Sequence, residues 1–238
     1  MSKKELIKRY IVFILGLFFS GIGVAFTKHG DLGVSPISSV ANVMSLKFSA
    51  LSLGNWLIIW NCVLIAAQVL ILRKDFKLYQ LLQIPLSFLF GWFTDIGMKI
   101  VSFIPVNNHP TKLLMIVIGT VILAFGISLT VIANVIMNSG EALVKAVSDK
   151  THFEFGYVKI ALDVFYVIMA VIISLIFFDG KIVETREGTV ISALCTGLVI
   201  KFITKLIRPF VTKILEDRRI ENEQIRTAVE MDRCEQNH

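Results

Sequence analysis

Long uncharged runs are the feature that most constrains how this chain of 238 residues can fold. Four of them cover Tyr10–Thr27, Phe48–Leu72, Leu78–Thr94 and Leu113–Gly140. Each is close to or above the roughly 18–20 residues that a helix needs to cross the hydrocarbon of a bilayer. Two further runs, Ile160–Phe178 and Gly188–Thr204, are each interrupted by a single charge, Asp163 and Lys201. The pattern predicts an all-α polytopic membrane protein with six transmembrane helices.

Composition supports a membrane protein and limits its partners. The chain is 55% hydrophobic and 18% charged, with a mean hydropathy of +0.74, which is too apolar for a soluble domain. Lysine and arginine concentrate in alternate connections, namely 1–9, 73–77, 145–159 and the stretch after 204. The positive-inside rule therefore predicts a multi-pass plasma-membrane protein with both termini in the cytoplasm. The net charge of +6 follows from this topology and does not indicate a nucleic-acid partner.

The chain divides near its middle, at the turn-rich stretch "PVNNHPTK". The predicted parts are a cytoplasmic N-terminus, a first membrane repeat, an outer linker, a second membrane repeat and a cytoplasmic C-terminal tail. Their bounds are 1–9, 10–104, 105–112, 113–207 and 208–238. Each membrane half has the same order: a long helix, a break with a short helix, and two more long helices.

Residue correspondences support an internal repeat. "LGVSPISSVANVMS" aligns with "IMNSGEALVKAVSD", which places Ser35-Pro36 over Ser139-Gly140. Further along, Asn61 aligns with Asp163 and Asp95 with Lys201. Three spans per half is an odd number, so the second half enters the membrane from the opposite side, as in the inverted repeats of many transporters. The alternative is chance similarity between two helical membrane segments.

Small residues in the first and fourth spans favour a close crossing of these two helices. They are Gly16, Gly21 and Gly23 in the first span and Gly119 and Gly126 in the fourth. Because glycine lets two helix backbones approach closely, helix packing alone explains the presence of these glycines. We expect the first and fourth spans to form the central pair of the bundle.

Each break begins a short helix that is too short to cross a bilayer. Ser35 fits an N-cap and Pro36 fits the first helical position. In the second break, Asn138 or Ser139 is the expected cap, and Glu141 lies in the first turn, where the helix dipole favours an anion. The predicted helices cover 36–48 and 140–150. Either they re-enter the membrane with their N-termini near its midplane, or they rest as amphipathic helices at its surface.

The order of helices and the two breaks resemble a known family. Gly-x-Ser-Pro ends at Pro36, and Asn-Ser-Gly-Glu ends at Glu141. On these motifs the chain resembles the YczE/YyaS/YitT-type bacterial integral membrane proteins over residues 10–207, with the tail outside the resemblance. The resemblance implies a bacterial plasma-membrane protein, and it supplies no catalytic residues.

Four polar residues inside the apolar runs are candidates for coupling or binding: Asn61, Asp95, Asp163 and Lys201. A lone charge in hydrocarbon costs at least a few kcal/mol, so these side chains should face protein or water. Similar depths in the fifth and sixth spans predict an ion pair between Asp163 and Lys201. Two alternatives stay open: a helix-surface pair of Asp95 with Lys99, and snorkelling of Lys201 to the headgroups.

No enzyme or cofactor motif is present in the sequence. The four histidines are isolated, and no metalloprotease, P-loop or nucleophile-elbow pattern occurs. The three cysteines, Cys62, Cys195 and Cys234, are far apart and give neither a disulfide framework nor a metal spacing. We therefore expect a protein that is not an enzyme and that needs no cofactor or metal.

The first hypothesis is a transporter or permease for a small solute, with an anion favoured, and a site at the interface of the two repeats. The expected substrate-binding residues are Ser35, Pro36, Asn61, Ser139, Gly140 and Glu141. The expected coupling or ion-pair residues are Asp95, Asp163 and Lys201. The expected partners are the lipid bilayer and a small-molecule substrate.

Two other classes of function remain open. A non-transporting scaffold or regulator would act through the cytoplasmic tail, and deletion of residues 211–238 would separate it from a transporter. A channel or lipid-handling protein is the other alternative. For that class a homodimer is an option, because six helices alone offer little room to enclose a pathway.

Overall fold

The computed structural model describes residues 3–31, 33–106, 108–183 and 197–215, and these residues form helices and their connections. The helices are α1 (Lys3–His29), α2 (Pro36–Lys47), α3 (Leu53–Leu72), α4 (Gln83–Val101), α5 (His109–Ala133), α6 (Ser139–Thr151), α7 (Phe155–Phe177) and α8 (197–215). Two short 3-10 helices, Arg73–Asp75 and Leu78–Leu82, connect α3 to α4. The tail residues 216–238 and the stretch 184–196, with Cys195 and Cys234, lie outside the described residues.

Five of the described segments are long and apolar enough to span a membrane. They are Lys3–His29, Leu53–Asp75, Leu78–Val101, His109–Ala133 and Phe155–Phe177. The prediction of an all-helical, polytopic membrane protein is confirmed to this extent. The sixth predicted span, 188–204, falls partly outside the described residues, so the number six stays a prediction.

Helices α1 and α5 cross at glycines and form the centre of the bundle, as predicted. A side chain at Gly16 would overlap the methyl group of Thr130, and one at Gly119 would overlap that of Thr27. Two more close approaches in this interface are Gly23 against Leu123 and Gly126 against Ser20. The missing side chains let the two backbones touch, which maximises van der Waals contact where lipid supplies no hydrophobic driving force.

The other helices pack around this pair in two groups. Helix α4 packs on α1 and on α3, and both short helices, α2 and α6, lie against α3 and α7. Helix α8 is joined to α5, because Thr204 Oγ1 donates to Ser128 Oγ at 2.8 Å and Ser128 Oγ lies 3.4 Å from the carbonyl oxygen of Ile200. Helices α3 and α7 therefore flank the two short helices.

The helix ends define two faces of the bundle. At the starting face, where α1 begins, Arg9 donates to the carbonyl of Ala133 at the end of α5 over 3.1 Å. At the far face, where α1 ends, His29 Nε2 lies 2.8 Å from the carbonyl oxygen of Ile104, just beyond α4. The starting face and the far face are the two ends of the helix bundle.

The C-termini of the short helices lie at opposite faces. Lys47, the last residue of α2, donates to the carbonyl of Phe177 at the far-face end of α7 over 2.8 Å. Lys150, near the end of α6, pairs with Asp75 just beyond α3 at 2.6 Å, at the starting face. The two short helices therefore run from the interior of the bundle towards different faces.

Candidate functional site

The first turns of α2 and α6 meet inside the bundle. Ile37 and Gly140 are each the second residue of their helix, and a side chain added at Gly140 would overlap Cδ1 of Ile37. We call the two first turns, residues 35–39 and 138–142, the junction. Two helix N-termini, each with a partial positive charge from unpaired N–H groups, converge at this point.

Helix α2 begins as its sequence predicts. Ser35 is the N-cap residue and Pro36 occupies the first helical position. The Ser35 hydroxyl donates to the Ser38 hydroxyl at 3.1 Å, and Ser39 Oγ donates to the Pro36 carbonyl. Ser38, Ser39 and Asn42, the polar face of this helix, are each at most 3% exposed. That face is covered by protein, whereas a helix resting on a membrane surface would turn it to water.

Helix α6 begins one residue earlier than the sequence alignment implies. Asn138 is the N-cap residue, and its Oδ1 accepts from the backbone N–H of Ser139 at 2.9 Å. Of the two predicted caps, Asn138 is therefore the correct one. The sequence alignment places Ser35 over Ser139, whereas the residue with the same N-cap position in α6 is Asn138.

A network of buried side-chain amides holds the start of α6 against α3. Ser139 Oγ donates to Asn61 Oδ1 at 2.6 Å, and Gln68 Nε2 donates to the Ser139 carbonyl at 2.9 Å. Gln68 also exchanges two hydrogen bonds of 3.2 Å with Gln83 at the start of α4. All four residues are at most 6% exposed. The network fixes the depth of α6 in the bundle and joins Asn61 of α3 to Ser139.

Two aromatic side chains next to the junction carry polar atoms without a partner. The rings of Trp60 on α3 and Tyr166 on α7 meet edge to face, with centroids 5.9 Å apart. Tyr166 packs in one cluster with Leu143 of α6 and with Ile37 of α2, and its own carbonyl lies 3.5 Å from Ser39 Oγ. Within the described part of the chain, Trp60 Nε1 and Tyr166 Oη are buried with no hydrogen-bond partner.

Glu141 is the acidic residue of the junction. It lies in the first turn of α6. Burial raises the pKa of the Glu141 carboxyl above its usual range, against the opposing charge of Lys159 on α7. Among the described residues, Glu141 forms no ion pair shorter than 4 Å.

Asp95 lies away from the junction and caps another helix. Its Oδ2 accepts from Ser52 Oγ at 2.6 Å, and its Oδ1 accepts from the backbone N–H of Gly54 at 2.9 Å. A carboxylate at this place satisfies free N–H groups of α3 and complements its dipole. Asp95 acts on the start of α3, and this contact replaces the considered pair with Lys99.

The predicted ion pair of Asp163 with Lys201 was wrong. Both carboxylate oxygens of Asp163 accept from Lys159 Nζ, at 2.6 and 2.8 Å, one turn earlier on the same helix. Lys201 is exposed on α8, which is joined to α5 through Ser128. The sequence gives the depth of a residue in the membrane but not its direction around the bundle, and in this structure Asp163 pairs within α7.

A groove on the outside of the bundle between α3 and α4 offers little to a polar ligand. It is lined by Asn55, Ile58, Pro85, Phe88, Leu89, Trp92 and Asp95. Phe88 and Trp92 are 55% and 61% exposed on a surface where lipid would lie. The groove is therefore a lipid-facing feature and not the candidate site.

Sequence reasoning missed several residues that lie around the junction. Gln68, Gln83 and Tyr166 were not singled out. A glutamine that is completely buried, as Gln68 is, demands a partner, and its position in an apolar run was a signal that could have been used. Tyr166, among apolar residues of α7, offers no such signal.

Comparison with known proteins agrees with a helical membrane protein. The model of a family described as "Family of unknown function (DUF6198)" matches residues 7–205. The chain is 24% identical over 201 residues to "Uncharacterized membrane protein YczE" of Bacillus subtilis, covering 84% of this chain and 87% of that protein. No solved structure matches the chain.

Proposed function

We propose that this chain, which belongs to the DUF6198 family, transports a small solute and binds it at the junction of α2 and α6. The observation that carries the proposal is the meeting of two helix N-termini, at Ile37 and Gly140, inside a bundle of membrane helices. Broken or short helices whose N-termini converge at the midplane of inverted repeats form the substrate sites of many secondary transporters. The fold and buried network of polar groups serve this role better than a purely structural one.

Contacts between α1 and α5 support an inverted repeat. A shift of 103 positions relates Gly16 to Gly119 and Thr27 to Thr130. The contact of Gly16 with Thr130 therefore becomes the contact of Gly119 with Thr27, and both occur. The same shift relates the contact of Gly23 with Leu123 to that of Gly126 with Ser20. Such reciprocal contacts are expected of two halves related by a pseudo-two-fold axis.

The short helices follow the same shift. It relates Ile37 to Gly140, so exchanging the two halves turns this contact into itself. A contact with this property lies on the pseudo-two-fold axis. It also relates Lys47 to Lys150, the two lysines that tie the ends of α2 and α6 to opposite faces. At 1.5 Å per residue these helices measure about 18 and about 20 Å, so their meeting point lies near the middle of a hydrocarbon core of about 30 Å.

Two exposed ion pairs join the halves at opposite faces. Asp31, after α1, pairs with Lys112 on α5 at the far face, and Asp75 pairs with Lys150 at the starting face. In an alternating-access cycle one face opens while the other stays closed. We expect each ion pair to be formed while its own face is closed and to be broken while that face is open. The basic connections put the starting face in the cytoplasm.

The test is the accessibility of the junction from both sides of the membrane. Ile37→Cys is made in a variant whose three native cysteines are replaced by serine, and is treated with a membrane-impermeant maleimide in vesicles of either orientation. The proposal predicts labelling from both sides, and slower labelling than at Lys47→Cys, a matched control at the far-face end of the same helix. Labelling from one side only, or from neither, contradicts a solute path through the junction.

A further inference from the structure

Two side chains next to the junction, Trp60 and Tyr166, carry a buried hydrogen-bond donor without a partner among the described residues. The acceptors of the network are occupied: Asn61 Oδ1 by Ser139, the Ser139 carbonyl by Gln68, and Gln68 Oε1 by Gln83. Trp60 Nε1–H is a donor only, and Tyr166 Oη–H is a donor as well as an acceptor. Both atoms are buried without a partner among the described residues.

Unpartnered buried donors call for an explanation by a ligand. Leaving one such group unsatisfied costs roughly 1–3 kcal/mol, and native proteins contain few of them. Tyr166 is 2% exposed, and it packs in one cluster with Ile37 of the first turn of α2 and Leu143 of the second turn of α6. Its side chain therefore lies next to the junction.

The electrostatic field at the junction favours a negative ligand. Each helix N-terminus contributes a partial positive charge of roughly half an elementary charge, and unpaired N–H groups point outward from it. The charges that face this point from α7 are Lys159 and Asp163, which neutralise each other as a pair. The described residues of α2 and α3 that line the junction are uncharged, as are the amides Asn61 and Gln68.

Glu141, in the first turn of α6, opposes an anion at the junction. Ionised, it would repel the ligand and would compete for the N–H groups at the start of α6. Protonated, it loses that repulsion and its O–H becomes a further donor. Burial raises the pKa of its carboxyl above its usual range, which favours the protonated form.

Resting on the proposed function, we infer that the solute bound at the junction is a small anion that accepts hydrogen bonds from Trp60 Nε1 and Tyr166 Oη and enters together with a proton on Glu141. The ligand must displace Ile37 from Gly140, because these two residues touch in this structure. A small carboxylate or an inorganic monovalent anion fits a donor set that consists of one indole N–H and one phenol O–H. The role of coupling group falls to Glu141 rather than to Asp95, Asp163 or Lys201.

The test uses Trp60 as its own reporter. In the purified full chain Trp56 and Trp92 are replaced by phenylalanine, and the remaining fluorescence is followed while sodium formate, acetate, nitrate or chloride replaces sodium gluconate at constant ionic strength. We expect a saturable change for at least one of these anions, with a higher affinity at about pH 5.5 than at about pH 7.5, because only the acid form of Glu141 admits the anion. Tyr166→Phe, which removes one hydroxyl, should weaken binding about tenfold. Glu141→Gln should abolish the pH dependence.

Two results overturn the inference. One is the absence of a saturable change with all four anions at both pH values, and the other is binding that Tyr166→Phe leaves unaltered. A parallel titration with methylammonium gluconate and with urea separates this failure from that of the proposed function. If methylammonium or urea binds and Tyr166→Phe abolishes that binding, the site binds a solute but the solute is not an anion. Anion binding without access to Ile37→Cys from both sides would instead contradict transport and leave the anion site.

Discussion

Ile37 packs directly against Gly140, so the second residues of α2 and α6 fill each other's space at the centre of the bundle. The sequence places 102 residues between them, and no local signal requires them to meet. Their contact holds the two short helices end to end and keeps the junction closed in this structure. The proposed function depends on this contact. Five measurements test the contact and the residues around it.

The first prediction concerns Gly140 itself. Gly140→Ala adds a methyl group where Ile37 lies, and such overpacking costs about 1–3 kcal/mol of unfolding free energy. Shortening the neighbour in the double variant Ile37→Ala/Gly140→Ala should restore part of the loss. Thermal unfolding in detergent measures both. Gly156→Ala is the matched control, because nothing lies within 4 Å of that position, and it should be neutral or stabilising.

The second prediction concerns the bond between Asn61 and Ser139. Asn61→Ala leaves the buried Ser139 hydroxyl without its acceptor and should cost about 1–3 kcal/mol, measured as a lower unfolding temperature. In a double-mutant cycle with Ser139→Ala, the two losses should be strongly non-additive. Asn55→Ala, an exposed asparagine on the same helix, should change stability by less than about 0.5 kcal/mol. Additive losses at 61 and 139 would mean that the bond contributes nothing.

The third prediction is a pH dependence of stability that originates at Glu141. An acid whose pKa is raised by folding stabilises the native state below its unfolded pKa, and this contribution is lost as the pH rises through the native value. The unfolding temperature should therefore fall across that range and should fall less in Glu141→Gln. Glu154→Gln, at an exposed glutamate before α7, is the control and should keep the slope of the unaltered chain. If Glu141→Gln leaves the pH dependence of the unfolding temperature unchanged, that dependence originates at another group.

The fourth prediction separates the two faces. Asp75→Asn breaks the pair with Lys150, and Asp31→Asn breaks the pair with Lys112. Exposed pairs contribute up to about 1 kcal/mol, so each change should shift the balance of states up to about fivefold. Labelling of Ile37→Cys should rise from the starting face in the first variant and from the far face in the second. Equal changes at both faces would argue against alternating access.

Local chemistry explains what could be predicted from the sequence. Caps and prolines act within one turn, so the starts of α2 and α6 were predicted to within one residue. The glycines of α1 and α5 predicted their crossing, because close approach of two helices requires small residues. Ser139 and Asn61 were predicted as site residues from their positions in the repeat, and a hydrogen bond joins them.

What could not be predicted depends on the arrangement of helices around the bundle. Hydropathy gives the depth of Asp163 and Lys201 but not their azimuth, and Asp163 is bound by Lys159 instead. Asp95 was expected near the site, whereas it caps α3. Tyr166 became a candidate only because its hydroxyl is buried without a partner among the described residues and its ring packs in one cluster with Ile37 and Leu143 of the two short helices.

The most direct test of transport is a pair of distances measured across the bundle. Spin labels at Asn55→Cys and Asp179→Cys report the far-face ends of α3 and α7, and labels at Leu70→Cys and Phe155→Cys report their starting-face ends, all at exposed positions. Double electron–electron resonance in lipid should find two distances for each pair. A change of pH should shift their populations in opposite directions at the two faces. A single, pH-independent distance at both faces would contradict alternating access about the contact of Ile37 with Gly140.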